Sequence, residues 1–247
     1  MLKQFFKKQT FNPGVVGFFT NPFFFARRAL YDAVAREAGQ LTGKILDVGC
    51  GQKPYLSLFT FSEYIGMEVE QEGHDHTNEQ VDVFFDGTHF PFENGHFDGV
   101  LTSQVLEHVF TPDEFLQEIH RVLRPDGRLL LTVPFVWDEH EQPYDYARYS
   151  SFGLRHLLEK NGFTIVSHQK TLPDFRVIIQ LINGYIFKKT YWAGRRSPML
   201  NIVASVVFNA WLNVLGLVLW AILPKNKDLY LDNVIVATKN VQATLVA

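Results

Sequence analysis

From Lys44 onward the chain alternates short apolar runs with amphipathic stretches. The runs KILDVG, EYIGME, FDGVLTS, RLLLTVP, FTIVSH and LYLDNVIVAT read as strands. Between them, TPDEFLQEIHRVLRPDG carries apolar residues at helical spacing. Thr111 stands as N-cap, Pro112 in the first turn and Glu114 in a capping box, with Pro125 and Gly127 marking the end. A second helix is predicted from about Phe152 to Asn161, after Ser150 and Ser151 and before Gly162. Ahead of the first strand, Phe25, Leu30 and Val34 recur at helical spacing between Pro22 and Gln40. This rhythm predicts a doubly wound α/β sheet.

One stretch breaks the rhythm. Residues 171–228 are mostly apolar and rich in aromatics, and Met199 to Leu223 is free of charge, long enough for a transmembrane candidate. The strand pattern resumes at LYLDNVIVAT, which argues against a single crossing. Two readings remain: a helical hairpin, begun by DFRVIIQLINGYIF, that dips into one leaflet, or an apolar lid buried against the domain or a second copy. Lys188, Lys189, Arg195, Arg196, Lys225 and Lys227, with Trp192, Trp211 and Trp220, favour an interfacial position, whereas Asn201, Asn209 and Asn213 weaken deep insertion. Lys3, Phe5, Phe6, Lys7 and Lys8 offer a second basic, aromatic contact or a solvated terminus.

Composition narrows the function classes. A net charge of -3 lacks the global basic field of a protein that grips nucleic-acid phosphates, so small or lipid-like partners are expected and nucleic acid is not. Cys50 is the only cysteine, which rules out an intrachain disulfide and a cysteine-based zinc site. The opening MLKQFFKKQTF is interrupted by Asn12, Pro13 and Gly14 before a signal-peptide core develops, so a cytoplasmic location is expected.

The candidate chemistry begins after the first strand. Asp47, Gly49 and Gly51 stand where missing side chains let backbone approach a ligand at the carboxyl edge of the sheet. A dinucleotide fingerprint wants a third glycine where Pro54 stands, so a dehydrogenase is disfavoured. With YIGMEVE, FFDGTHFPFENGHFDGVL and HRVLRPDGRLLLTVP, the run LDVGCGQKPY resembles the class I S-adenosylmethionine methyltransferases over roughly Leu41 to Lys170.

That resemblance implies a seven-stranded, Rossmann-like sheet with S-adenosylmethionine as cofactor. Asp47 would face the methionine ammonium, with Gly49, Cys50 and Gly51 making room for the methionine moiety. Glu68 would accept from the ribose hydroxyls with Val69 beside it, and Asp86 from the adenine amino group, with Gly87, Thr88 and Ser103 completing the set. Each acidic residue taken singly reads better as a strand-end turn residue, and only the blocks together, in this order and spacing, favour the cofactor.

The acceptor is expected above strands four and five, where the loops SQVLEHVF and PFVWDEHEQPYDYARYS emerge. His140 is the candidate base for a hydroxyl acceptor, or a solvent-facing loop histidine. His108, after Glu107, is a candidate for the pocket or for packing. Tyr144, Tyr146, Arg148 and Tyr149 form a polar aromatic cluster suited to an acceptor, with Arg148 equally able to pin the loop internally. His74, Asp75 and His76 lack matched ligand spacing, so no metal site is expected, although some quinone-pathway relatives use a divalent ion.

The expected organisation is a helical cap over 1–40, the cofactor-binding core over 41–170, an apolar helical insertion over 171–228, and the last strand and tail over 229–247. Transfer to an oxygen is expected. The loop from Pro134 resembles that of methyltransferases of envelope polysaccharide synthesis, implying a saccharide or lipid-linked saccharide acceptor. Methylation of a polyprenylated quinone precursor and a catalytically silent cofactor-binding scaffold are the alternatives. Peripheral membrane contact or a homodimer through 175–223 is the expected partner contact.

Overall fold

The computed structural model describes residues 9–70, 79–193 and 198–240, without the side chains of 190–205. His74, Asp75, His76, the basic residues of the first eight positions, Arg195 and Arg196 lie outside the described residues, as do the side chains of Trp192 and Asn201. The chain forms two compact units. One comprises 1–32 with 170–231, the other 33–169 with 232–247.

The second unit holds the sheet. Its strands are β1 (Thr42–Val48), β2 (Thr60–Val69), β3 (Val83–Phe85), β4 (Phe97–Ser103), β5 (Leu123–Pro134), β6 (Phe163–Lys170) and β7 (Asp232–Lys239), in the order β3-β2-β1-β4-β5-β7-β6. The pairs β1–β2, β1–β4, β2–β3 and β4–β5 are parallel, and β7 runs antiparallel to β5. Strand order reverses between β1 and β4, which opens a crevice at their carboxyl ends. The core is built of Leu46, Val100, Leu129, Leu131 and Ile235 on the strands, with Leu116, Ile119, Leu154 and Leu158 from the helices.

Pro112–Val122, labelled α3 in chain order, presents Phe115, Leu116, Ile119 and Val122 to that core at the spacing read from the sequence. Two details differ from expectation. Thr111 forms no side-chain cap; its carbonyl accepts from Phe115 N instead. The helix stops at Val122, because residues 123–127 already belong to β5 through an irregularity in its pairing with β4. The helix α4 (Ser151–Lys160) is capped as expected, Ser150 Oγ accepting from Gly153 N at 3.2 Å. The short strand β3 has no counterpart among the sequence runs, since three residues are too few to show periodicity.

The first unit is helical. It contains α1 (Val15–Thr20), the opening turns of α2 (Phe24–Glu37), and α5 (Arg176–Ala193) and α6 (Pro198–Ile222), which pack against each other. Gln180 ties α5 to the start of α2, accepting from Ala26 N and donating to Pro22 O. Among the described residues, no helix is long and apolar enough to cross a membrane.

Candidate active site

The turn after β1 is shaped by its glycines. Gly49 has φ +71°, and a Cβ there would overlap Val105; its N–H donates to Met67 O at 2.9 Å. Gly51, at φ +44°, faces open space and donates its N–H to Glu68 Oε2 at 3.1 Å. The carboxylate at the end of β2 therefore touches the glycine turn of β1 directly. A cradle that side chains would fill, beside a carboxylate, fits the methionine and ribose of S-adenosylmethionine.

Asp47 is buried at the end of β1 and accepts from the Tyr64 hydroxyl at 2.7 Å. Burial pushes its carboxyl up to about 7, against the lowering effect of that hydrogen bond and of Lys53. Tyr64 was not among the sequence candidates. Period-two alternation along EYIGME puts Tyr64, Gly66 and Glu68 on one face of β2, and pairing of Gly66 with Asp47 brings that face to the site. Cys50 is buried, its thiol pushed upward by burial and by Asp47 and Glu68.

A cavity of about 300 Å³ opens here. Gly49, Glu68, Val69 and Gly87 line it together with His108, Tyr144 and Tyr146, so candidate cofactor and acceptor residues share one space. Its apolar wall comes from Phe85, Val105, Phe110 and Phe115, none of which the sequence pattern singled out. Asp86 does not line it. Its Oδ1 accepts from Thr88 N, Thr88 Oγ1 and His89 N at 2.8–2.9 Å, an arrangement that orders the turn and lowers its carboxyl to about 2. Thr88 and Ser103 also lie off the wall, the Ser103 hydroxyl pairing with Thr132 Oγ1 at 2.8 Å.

The loop after β5 is fastened to the Glu107–His108 turn. Tyr146 N and Ala147 N donate to Glu107 O, and His108 Nδ1 meets Tyr144 O at 2.8 Å. His108 Nε2 faces the Glu141 carboxylate at 3.3 Å, which suits the packing and anchoring role. The Glu107 side chain is fully buried, with neither carboxylate oxygen hydrogen-bonded to another described residue. Burial pushes this carboxyl up to about 8, with Asp232 adding to the effect and Arg148 opposing it.

Arg148 was expected either to meet an acceptor or to pin its own loop. Its guanidinium grips Asp145 in bidentate fashion at 2.5 and 2.7 Å and donates to Asp138 O at 2.9 Å, so it pins the loop from within. His140 stands beside the cavity wall, its ring edge-on to His108 with centroids 4.8 Å apart. Its Nδ1 lies 3.2 Å from both Asp138 O and Asp145 Oδ2 and 3.4 Å from Arg148 Nη2; the two nearer acceptors favour the tautomer with the proton on Nδ1 and Nε2 as acceptor. Burial and the neighbouring His108 lower its pKa.

These features define a class I, Rossmann-like methyltransferase fold, and comparison with known proteins agrees. Residues 24–168 match a family model described as a methyltransferase domain. An uncharacterized methyltransferase of Mycobacterium sp. (strain KMS) is 38% identical over 99 residues, which is 38% of this chain and 39% of that protein. The fatty-acid O-methyltransferase of Mycolicibacterium smegmatis is 31% identical over 114 residues, covering 42% and 41%. The chain thus spans about two fifths of the length of the curated relatives it matches.

Among solved structures, the [4+2]-cyclase SpnF superposes with a TM-score of 0.55 at 21% identity, covering 87% of this chain and 82% of that one. Phosphoethanolamine N-methyltransferase 2 of Haemonchus contortus, in complex with S-adenosylhomocysteine, gives 0.53 at 18% identity, covering 95% and 57%. The chain belongs to the S-adenosylmethionine-dependent methyltransferases, and S-adenosylmethionine is its cofactor.

Proposed function

We propose that the protein transfers a methyl group to an oxygen of a saccharide or lipid-linked saccharide, in the cytoplasm. The observation that carries this reading is the single cavity joining Glu68, Gly49 and Gly87 to His108, Tyr144 and Tyr146. The cofactor supplies an already activated sulfonium methyl, so the protein has chiefly to align the acceptor and exclude water.

In this reading Asp47 faces the cofactor ammonium, Glu68 the ribose hydroxyls and Asp86 the adenine amino group, with Val69, Gly87 and Thr88 beside the adenosine. His140 Nε2 takes the hydroxyl proton, with Asp145 and the Asp138 carbonyl fixing the ring. Tyr144 and Tyr146 flank the acceptor, and the segment 175–223 contacts a membrane surface or a second copy.

Two alternatives have specific support. The aromatic wall of Phe85, Phe110 and Phe115 suits a polyprenylated quinone precursor, and a relative named fatty-acid O-methyltransferase also favours an oxygen acceptor on a lipid-like molecule. That a [4+2]-cyclase shares the fold keeps a cofactor-binding module without methyl transfer in play. The test is incubation with methyl-labelled S-adenosylmethionine and fractionated extracts. Label in lipid-linked saccharides supports the proposal and label in quinone precursors the first alternative. Saturable cofactor binding with no label transferred leaves the silent module.

A further inference from the structure

Helix α6 is turned inside out relative to a helix of a water-soluble surface. Val207, Trp211, Val214, Val218 and Ile222 follow one another at intervals of three and four residues and are 64%, 59%, 49%, 50% and 69% exposed. Together they form one apolar stripe about 22 Å long at 1.5 Å per residue. The opposite face carries Asn209, Leu212 and Asn213, all buried, with Asn213 Nδ2 donating to Phe18 O at 2.7 Å. Its neighbour α5 repeats the inversion: Gln180 and Asn183 are buried while Ile182 and Tyr185 are exposed. Of the asparagines expected to weaken membrane contact, Asn209 and Asn213 therefore point inward and leave the outer face of residues 206–222 apolar.

The charge of this unit is equally distinctive. Segments 1–32 and 170–231 carry 13 lysines and arginines against 3 acidic residues, a net of +10, while the remaining 10 basic and 23 acidic residues give -13. At the end of the stripe, the Arg176 guanidinium, ion-paired with Asp174 at 2.6 Å, lies 4.9 Å from the centroid of the Trp220 ring, and exposed Lys225 and Lys227 follow. An indole beside cations at one end of an apolar stripe is the arrangement found at the headgroup level of a bilayer.

We propose that the outer face of α6 docks on the surface of an anionic lipid bilayer, the apolar stripe entering the headgroup–acyl boundary and Lys225 and Lys227 meeting lipid phosphates. This deepens the contact reading of 175–223 and does not depend on which acceptor is methylated. A second copy of the chain is the less suitable occupant, since pairing two like faces would bring two strongly positive units together.

The experiment is co-sedimentation of the full chain with vesicles of phosphatidylcholine alone or mixed with phosphatidylglycerol, beside calorimetric binding of S-adenosylhomocysteine. The expected result is binding to the mixed vesicles only, weakened by salt. Lys225→Glu with Lys227→Glu should weaken it on the order of tenfold or more. Trp211→Glu with Val218→Glu should abolish it while S-adenosylhomocysteine affinity, which also reports folding, stays unchanged. Equal binding to both vesicles, binding to neither, or a concentration-dependent dimer dispersed by Val218→Glu would overturn the proposal. Failure here with intact cofactor binding would leave the methyl-transfer reading standing.

Discussion

The hydroxyl of Tyr64 donates to Asp47 Oδ2 at 2.7 Å, tying the second strand to the buried carboxyl that ends the first. Burial pushes the Asp47 carboxyl up to about 7, so near neutral pH it is poised between its two forms. The proposed ammonium partner favours the carboxylate, and cofactor affinity should rise as pH climbs from 6 to 8. Calorimetry of S-adenosylhomocysteine across that range checks the slope, which Asp47→Asn should flatten.

The same proton has the opposite sign for the ligand-free protein. Because the folded value of about 7 lies above the ordinary 3.8, the contribution of Asp47 to stability is complete below about pH 4 and lost as pH rises through 7. Glu107, pushed up to about 8, acts in the same direction. Thermal melts from pH 5 to 9 should show stability declining more steeply in the wild type than in Asp47→Asn. Equal slopes would mean that the carboxyl titrates as it does in the unfolded chain.

Glu68 supports both the ligand and the loop, since its Oε2 accepts from Gly51 N. Glu68→Ala should weaken S-adenosylhomocysteine by roughly ten- to a hundredfold, the loss of about 1–3 kcal/mol of hydrogen bonding. Glu68→Gln, which keeps an acceptor oxygen, should lose less. An unchanged affinity in the alanine variant would remove Glu68 from the cofactor site.

Gly49 and Gly51 separate strain from crowding. Both have positive φ, but only at Gly49 would a Cβ collide with a neighbour, Val105. Gly51→Ala should cost about 1 kcal/mol of stability. Gly49→Ala should cost about 1–3 kcal/mol and cofactor binding besides. Chemical denaturation and calorimetry on both variants distinguish the two effects.

His140→Ala should lower kcat on the order of 10²- to 10⁴-fold while leaving cofactor affinity alone, the signature of a lost base. Arg148→Lys should fail to restore an Arg148→Ala loss, because an ammonium cannot reproduce the bidentate grip on Asp145. An unaltered kcat in His140→Ala would mark a loop histidine.

Glu107, His108 and His140 bring ligand-type atoms within 4.8 Å of one another. A metal-free reaction is nonetheless proposed, since burial favours the protonated Glu107 carboxyl at neutral pH and the His140 ring is held through Nδ1 by the loop. Activity should therefore survive chelation. Loss of activity on chelation, restored by zinc or manganese, would make this trio a metal centre.

Much of this architecture is determined locally and was legible in the chain. Alternating apolar runs placed six of the seven strands, Ser150 capped its helix as expected, and the glycine turn LDVGCG with Glu68 marked the cofactor end, because such signals reside in neighbouring residues. What tertiary contact decided lay beyond that range. Strand pairing brought Tyr64 to Asp47, and hydrogen bonds from Tyr146 N and Ala147 N fastened the loop after β5 to Glu107 O. The composition of α6 displayed both asparagines and valines at helical spacing, but only packing against α1 settled that the amides face inward and the apolar side chains outward. A periodic pattern defines two faces of a helix; which one meets solvent depends on what the rest of the chain sets against it.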